Sequence, residues 1–199
     1  MNKGLMIVVS APSGCGKGTV LNEILKDKNF YYSVSATTRA PREGEADGVN
    51  YHFITKAEFE KLIAENGMLE YAKYCDNYYG TPKEILEKKM NEDVILEIEV
   101  QGAMQVKRLC PEAVFIFIAP PSIAELERRL KKRGTESDEI IAKRVSEAAG
   151  EIRQAVNYDY VIVNAALEDA VEDFKTIVKA EKLKTAYAEN LINEVLENA

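Results

Sequence analysis

The sequence predicts an α/β protein with a doubly wound parallel sheet and an inserted small lobe of mixed or antiparallel strands. Short apolar runs alternate with helical patterns along most of the chain, which is typical of parallel strands covered by helices. A glycine-rich turn joins the first apolar run to the first helix. Between residues 35 and 81 this alternation gives way to short strands and polar loops, which indicates the inserted lobe.

The first half of the chain has strands at apolar or alternating runs and helices at capping signals. Thr55–Glu58 has the threonine and glutamate of a capping box, which predicts a helix to about Asn66 that Gly67 ends. Thr81–Glu84 has the same pattern, with Pro82 at the first helical position. A helical pattern also follows the glycine-rich turn. The predicted strands are residues 5–9, 31–36, 51–54 and 68–74, and residues 37–48 are a polar loop.

The second half continues the alternation with two mostly apolar runs, Val94–Val100 and Val114–Ala119, as expected for buried parallel strands. Glu97 and Glu99 close the first run, and strand alternation puts both on one face at the carboxyl edge of the sheet. The remaining predicted elements are helices from Ser122 and from Ser137 to about Gln154, a strand over residues 160–164, and one or two helices from Leu167 onward.

The turn after the first strand has the composition of a phosphate-binding loop. Its glycines let several backbone N–H groups point at one anion, and the following helix adds its positive end. Lys17 supplies a mobile charge for the outer phosphates of a nucleotide. The usual pattern has glycine where Ala11 stands and a hydroxyl residue where Gly18 stands. The residues expected at the phosphates are Ala11, Pro12, Ser13, Gly14, Cys15, Gly16, Lys17, Gly18 and Thr19.

Composition and charge restrict the classes of function. The net charge of −7 argues against a protein that binds nucleic acid through a broad basic surface. Since no apolar run is long enough to span a bilayer and no signal peptide is evident, we expect a cytoplasmic location and no membrane partner. Cys15, Cys75 and Cys110 are far apart and odd in number, which predicts neither a disulfide framework nor a zinc site.

Several motifs occur together in the order of one known family. The segment from Thr37 to Ile54 reads T-T-R-x-x-R-x-x-E-x-x-G-x-x-Y-x-F-I, and the glycine-rich loop ends in G-K-G-T. On these motifs the sequence resembles the guanylate kinases, P-loop enzymes that transfer a phosphoryl group from ATP to GMP. Further matching segments, which extend the resemblance over nearly the whole chain, are residues 77–81, 97–102, 118–122, 133–135, 143–144 and 161–164.

The resemblance implies how this single domain is divided. The core would comprise residues 1–34, 82–124 and 155–199, the inserted lobe 35–81 would bind GMP, and residues 125–154 would form a helical lid over ATP. The implied partners are ATP and GMP, with dGMP as a further acceptor, and the implied cofactor is Mg²⁺ bound with ATP.

Two arginines in the polar loop are suited to a monophosphate. Arg39 and Arg42 are three positions apart, and two guanidinium groups can bind a phosphate bidentately, which lysines do less specifically. The resemblance implies that the GMP phosphate lies here, with added hydroxyl donors from Ser35, Tyr51 and Tyr79. A solvated basic loop is the alternative interpretation of the same arginines.

The resemblance places Glu70 and Thr81 at the guanine base. A carboxylate accepts hydrogen bonds from the N1–H and N2–H₂ groups of guanine, and a threonine hydroxyl can donate to O6. Adenine has an acceptor at N1 and would leave the carboxylate unsatisfied. Glu99 is expected on the GMP side. Glu97 is expected on the Mg²⁺ side, acting through water because the family usually has the shorter aspartate there.

Basic residues of the implied lid complete the expected site. Arg133 and Arg144, with Lys17 and Arg42, are expected to surround the migrating phosphoryl group as the catalytic residues. Arg129 and Asn164 are expected to contact the adenine or its ribose. The lone histidine, His52, lies in the inserted lobe and is interpreted as a structural strand residue.

The sequence is also compatible with two other functions and with two oligomeric states. Guanylate-kinase-like domains also occur as non-catalytic peptide-binding modules of scaffold proteins, and related kinases phosphorylate other acceptors, such as a ribose bisphosphate. The retained Lys17 argues against the first, and Glu70 with Thr81 argues against the second. The chain could be a monomer or a homodimer, because an apolar stripe near the C-terminus can pack on the core or on a partner: Leu183, Tyr187, Leu191 and Val195.

Overall fold

A five-stranded parallel sheet forms the centre of the protein in the computed structural model. The structure describes residues 4–74, 76–89, 91–134, 137–187 and 189–197, with the side chains of all of these except residues 85, 133 and 189–191. The strands of the large sheet lie in the order β2-β7-β1-β8-β9 and a four-stranded sheet has the order β4-β3-β6-β5.

The elements alternate between strands and helices as predicted, with strand β6 and helix α4 in addition to the predicted elements. The strands are β1 Met6–Ser10, β2 Phe30–Ser33, β3 Ala36–Thr37, β4 His52–Phe53, β5 Met68–Tyr74, β6 Asn77–Pro82, β7 Asp93–Glu97, β8 Val114–Ala119 and β9 Tyr160–Val163. The α-helices are α1 Lys17–Ile24, α2 Lys56–Ala64, α3 Lys83–Lys88, α4 Val100–Leu109, α5 Ile123–Arg133, α6 Asp138–Arg153, α7 Leu167–Lys182 and α8 Glu189–Glu197, and a 3₁₀ turn spans Gln154–Asn157.

Helices cover both faces of the large sheet, as a doubly wound fold requires. On β1, Ile7 and Val9 pack into one apolar layer, whereas Val8 packs into the other. The first layer includes buried residues of α1, α5, α6 and α7, and the second includes those of α3 and α4. The predicted α/β fold with a parallel sheet is therefore confirmed.

The smaller sheet forms the inserted lobe and is mixed. Strand β3 pairs parallel with β4 and antiparallel with β6, and β5 pairs antiparallel with β6. Its small core has Phe59 of α2 stacked on Tyr78 of β6, with ring centroids 5.1 Å apart. Thr55 caps α2 through a complete capping box with Glu58. Asn66, with φ 55°, takes the left-handed position after this helix, where Gly67 was expected to end it.

Three predicted boundaries near the site are wrong. The predicted strand 31–36 is two strands, because β2 joins the large sheet and β3 joins the small one. The second capping box does not form, since Thr81 stays in β6 and Pro82 precedes α3 without a side-chain cap. Strand β7 ends at Glu97, and Glu99 is the N-cap residue of α4, so the two glutamates do not share a strand face.

The C-terminal region forms two helices, which leaves the predicted stripe without a common helix. Helix α7 ends at Lys182, and the next described helix is α8. Leu183 and Val195 are mostly exposed, whereas Tyr187 packs against the first apolar layer. Leu191 is among the residues whose side chains are not described. Among the described residues, no helix is both long and apolar enough to cross a membrane.

Candidate nucleotide site

The phosphate-binding loop connects β1 to α1 and depends on two glycines in the left-handed conformation. Gly14 and Gly16 have φ angles of 93° and 92°. A β-carbon on Gly14 would also lie 2.6 Å from Cδ2 of Leu130, which is closer than packed carbon atoms approach. Helix α1 begins at Lys17, directly after Gly16. The helix N-terminus and its lysine therefore face the space that the loop encloses.

A clamp beneath the loop holds its backbone in place. The carbonyl of Cys15 accepts hydrogen bonds from Arg129 Nη1 at 3.1 Å and from Asn164 Nδ2 at 2.8 Å. Arg129 Nη2 donates to the Asn164 carbonyl at 3.0 Å, and its Nε donates to Glu125 at 2.8 Å. A β-carbon on Gly16 would lie 2.6 Å from Asn164 Nδ2. Arg129 and Asn164 thus hold the loop, and their contact with adenine or ribose stays a prediction.

Lys17 and Glu97 meet at the mouth of the loop. Lys17 Nζ lies 3.4 Å from Glu97 Oε1, and the Tyr32 hydroxyl donates to Glu97 Oε2 at 2.9 Å. Gly18 and Thr19 are exposed on the same first turn of α1. Cys15 is fully buried, and burial raises the pKa of its thiol, which does not favour a nucleophilic role.

Arg39 is held in a fixed orientation on the inserted lobe. Its Nη1 and Nη2 donate to the two carboxylate oxygens of Glu45 at 2.9 and 3.0 Å, and Nη1 also donates to the Ala40 carbonyl at 2.7 Å. The guanidinium carbon lies 5.5 Å from the ring centroid of Tyr51 and 5.8 Å from that of Phe53. The hydrogen bond from Arg39 is the main cause that lowers the pKa of the Glu45 carboxyl.

The other predicted phosphate ligands lie around Arg39. Tyr51 and Tyr79 are in edge contact with centroids 5.9 Å apart, and Tyr79 hydrogen-bonds to Arg39. Arg42 is exposed, and its backbone N–H donates to Glu45 at 2.7 Å. Ser35 is partly buried just before β3. The structure therefore brings Arg39, Tyr51 and Tyr79 together, with Arg42 on the same loop.

Glu97 connects the loop to this second cluster. The pKa of Tyr51 is raised by burial first, then by the neighbouring Tyr79 and by the charge of Glu97. The pKa of Tyr32 is raised by burial and by its contact with Glu97. One carboxylate therefore lies within electrostatic range of both Lys17 and the tyrosines of the lobe.

The inserted lobe contains a buried carboxylate that is hydrogen-bonded to a threonine hydroxyl. Glu70 is only 5% exposed, and its Oε1 accepts the Thr81 hydroxyl at 2.7 Å. Burial raises the pKa of Glu70, hydrogen bonds from the hydroxyl and the N–H of Thr81 lower it in part, and the charge of Glu99 raises it further. Glu99 is exposed, yet it lies close enough for its charge to act on Glu70.

The structure describes some, but not all, of the basic residues of the implied lid. Arg144 is partly buried on α6. Glu151, about two turns further along α6, is partly buried, and its pKa is raised by burial and by Glu99 and lowered by Lys17. This face of α6 therefore borders the loop. The side chain of Arg133 lies outside the part of the chain that the structure describes, as does the whole of Thr135.

Sequence reasoning gave no role to several residues of this site. Glu45 was noted only as a member of the lobe motif, and Tyr32 and Glu151 were not considered. Gly102 lies next to Glu70, where a β-carbon would be 2.5 Å from Glu70 Oε2. A glycine inside a helix is a sequence signal for close approach, so Gly102 could have been found. The contacts of Tyr32 and Glu151 join distant segments and have no local signal.

A family model for guanylate kinase matches residues 3–181 of the chain. The chain belongs to the guanylate kinase family. A guanylate kinase of Latilactobacillus sakei is 53% identical over 187 residues, covering 92% of each chain. A guanylate kinase of Listeria monocytogenes is 49% identical over 199 residues, covering 98% of this chain and 97% of the relative.

A solved structure gives the same family assignment for the fold. The crystal structure of guanylate kinase from Anaplasma phagocytophilum is similar with a TM-score of 0.76 and 37% identity, over 94% of this chain and 90% of that one. Membership in the guanylate kinase family makes the protein a phosphotransferase, and the resemblance drawn from its motifs is confirmed.

Proposed function

We propose that the protein transfers the γ-phosphoryl group of ATP to GMP, giving ADP and GDP. Guanylate kinase relatives at high coverage support this reaction. The observation that carries it in the structure is the contact set of Glu97, which touches Lys17 of the phosphate loop and lies within range of Tyr51 in the lobe. Two phosphate sites that share one carboxylate suit a donor and an acceptor of a phosphoryl group.

The inserted lobe, residues 35–81, is the proposed GMP site. A guanidinium has five N–H groups, and three of those of Arg39 bind Glu45 and Ala40, which leaves two for Tyr79 and a phosphate. Arg42 has an exposed side chain on the same loop. The GMP phosphate is proposed to bind between these arginines, with hydroxyl contacts from Ser35, Tyr51 and Tyr79.

Guanine is proposed to replace the internal hydrogen bond between Thr81 and Glu70. The Thr81 hydroxyl donates to Glu70 Oε1 in the structure. The N1–H and N2–H₂ groups of guanine can donate to the carboxylate instead, which releases the hydroxyl proton of Thr81 for O6. Adenine offers no N1–H, so it would leave a buried carboxylate facing a lone pair. Glu99 is proposed as a further contact on this side.

ATP is proposed to occupy the loop, with Lys17 at its outer phosphates. The residues fit Mg²⁺ because one carboxylate, Glu97, lies beside Lys17, and Mg²⁺ in such sites binds one or two carboxylates, phosphates and several waters. Glu97 is proposed to act on Mg²⁺ through water. When bound, Mg²⁺ would neutralise charge on the transferred group.

Residues 125–154 are proposed as the lid, and its role is to form one wall of the site. Helices α5 and α6 pack together, and Leu126, Leu130 and Ile141 belong to the first apolar layer. In this arrangement Arg144 and Arg133 are proposed to reach the migrating phosphoryl group from one wall of the site. The chain's own groups would align the two phosphates and exclude water, which limits hydrolysis of ATP.

A coupled assay for ADP release tests the proposed reaction. ATP and Mg²⁺ are held constant while GMP, AMP, UMP or no acceptor is added. We expect rapid ADP release with GMP and little release with the other acceptors. GMP-dependent release no greater than that of the blank would reject the reaction, and equal rates with AMP would reject Glu70 and Thr81 as base-reading residues.

Replacing Glu45 with glutamine is expected to raise the KM for GMP about tenfold, because Arg39 loses a charged bidentate partner and its fixed orientation. The KM for ATP should stay unchanged. Glu43→Gln is the matched control, since Glu43 is an exposed glutamate of the same loop. Steady-state kinetics on both variants would contradict this role if they gave the same KM for GMP.

The KM for GMP is expected to rise as the pH falls. Because the pKa of Glu70 is raised, this rise should begin at a higher pH than it would if an exposed glutamate bound the base. Burial raises the pKa of Glu70, and only its ionised form can accept from guanine through both oxygens, so protonation as the pH falls removes one of the two acceptors. Glu70→Gln removes this titration. The ratio of the two KM values, measured across pH, cancels the titration of the GMP phosphate itself; a ratio independent of pH would contradict the prediction.

A further inference from the structure

Gly102 occupies a position where the helix has no need of glycine. It is the third residue of α4, and its backbone does not adopt a positive φ. An alanine is more stable than a glycine inside a helix, so the local backbone favours a side chain here. The reason for glycine must therefore lie in the space around its α-carbon.

That space is filled by the carboxylate of Glu70. A β-carbon on Gly102 would lie 2.5 Å from Glu70 Oε2 and 3.1 Å from its Cδ. Real β-carbons do not approach an oxygen so closely, so either the carboxylate or the helix must move. Strand β5, which carries Glu70, packs against α4, and Gly102 is buried in this contact.

The carboxylate cannot move without losing bonds. Glu70 is buried, its Oε1 accepts the Thr81 hydroxyl at 2.7 Å, and the Thr81 N–H also donates to it. A shift away from Gly102 breaks this arrangement in a region where water cannot replace the lost partners. A displacement of about 1 Å at a substrate-positioning group can cost about a hundredfold in rate.

We propose that Gly102 is a specificity-determining position of the acceptor site, because its missing side chain leaves the room in which Glu70 is held against Thr81 to read the guanine edge. This inference rests on the proposed function, in which Glu70 binds guanine. Gly102 itself acts through Glu70 and is therefore a positioning residue.

The test compares Gly102→Ala with the unmodified protein on two acceptors. We expect kcat/KM for GMP to fall at least about tenfold, and kcat/KM for inosine monophosphate, which lacks the 2-amino group, to fall less. The preference for GMP over inosine monophosphate should shrink while the KM for ATP is unchanged. A general structural defect would instead lower both acceptors equally, and that result would overturn the proposal.

A double-mutant cycle separates this proposal from the proposed function. If Gly102 acts through Glu70, adding Gly102→Ala to Glu70→Ala should change kcat/KM for GMP by less than about threefold. An effect as large as in the unmodified background would overturn the role of Gly102. If Glu70→Ala alone leaves kcat/KM for GMP unchanged, the base-reading role of Glu70 fails instead.

Thermal denaturation checks the fold of each variant. Gly150→Ala is the matched stability control, because Gly150 is also helical and a β-carbon there would meet no atom within 4 Å. Gly150→Ala should raise the Tm, whereas Gly102→Ala should raise the Tm less or lower it. If Gly102→Ala fails to fold, the double variant with Glu70→Ala should fold again; failure of that rescue would overturn the proposal.

Discussion

Replacing Lys17 with methionine is expected to lower kcat by at least about a hundredfold while the protein remains folded. Lys17 is the first residue of α1, and its ammonium group lies at the mouth of the loop, 3.4 Å from Glu97 Oε1. A preorganised charge of this kind stabilises the negative charge that develops on the transferred phosphoryl group. Methionine keeps the apolar stem and removes only the ammonium group.

The measurement is the rate of ADP release with saturating ATP and GMP. Lys26→Met is the control, because Lys26 lies just after the same helix, is exposed and pairs with Glu23. The fold should persist because Glu97 keeps the Tyr32 hydroxyl as a hydrogen-bond donor when Lys17 is removed. A folded Lys17→Met protein with the kcat of the control would reject a catalytic role for Lys17.

Replacing Arg42 with alanine is expected to lower kcat/KM for GMP by at least about a hundredfold. Its backbone N–H is bonded to Glu45, whereas its side chain is exposed. Since Arg39 is already bonded to Glu45, Arg42 is the arginine of the pair that is freer to follow the phosphate.

Kinetics with GMP as the varied substrate measure this effect. Arg108→Ala is a suitable control, because Arg108 is an exposed arginine in the last turn of α4. Unfolding curves should be similar for both variants, as both side chains are exposed. An Arg42→Ala protein that retains the GMP kinetics of the control would mean that Arg39 alone binds the acceptor phosphate.

The parts of the site that depend on local sequence could be predicted. The phosphate loop follows from glycines next to one strand and one helix, and Gly14 and Gly16 adopt the left-handed conformation that only glycine enters readily. The inserted lobe was visible as an interruption of the strand–helix alternation. Both features depend on neighbours in the chain rather than on contacts across the fold.

The parts that depend on distant contacts could not be predicted. Thr81 fits a capping box in sequence, yet its hydroxyl donates to Glu70, eleven residues away on the neighbouring strand. Alternation predicted a strand through Glu99, but α4 begins directly after this residue and ends the strand pattern early. The bonds of Arg129 to the loop join residues 114 positions apart, and nothing in the sequence near either residue indicates them.

The clamp on the Cys15 carbonyl has a consequence for how the protein is made. The loop belongs to the first twenty residues, but the two side chains that hold its carbonyl are 114 and 149 positions later in the chain. A ribosome releases the N-terminal end first, so the loop emerges long before its supports. A nascent chain that stops short of Asn164 therefore carries the complete motif without its clamp. We therefore expect nucleotide to stabilise the finished protein more than such shorter chains, because only the finished protein has the clamped loop.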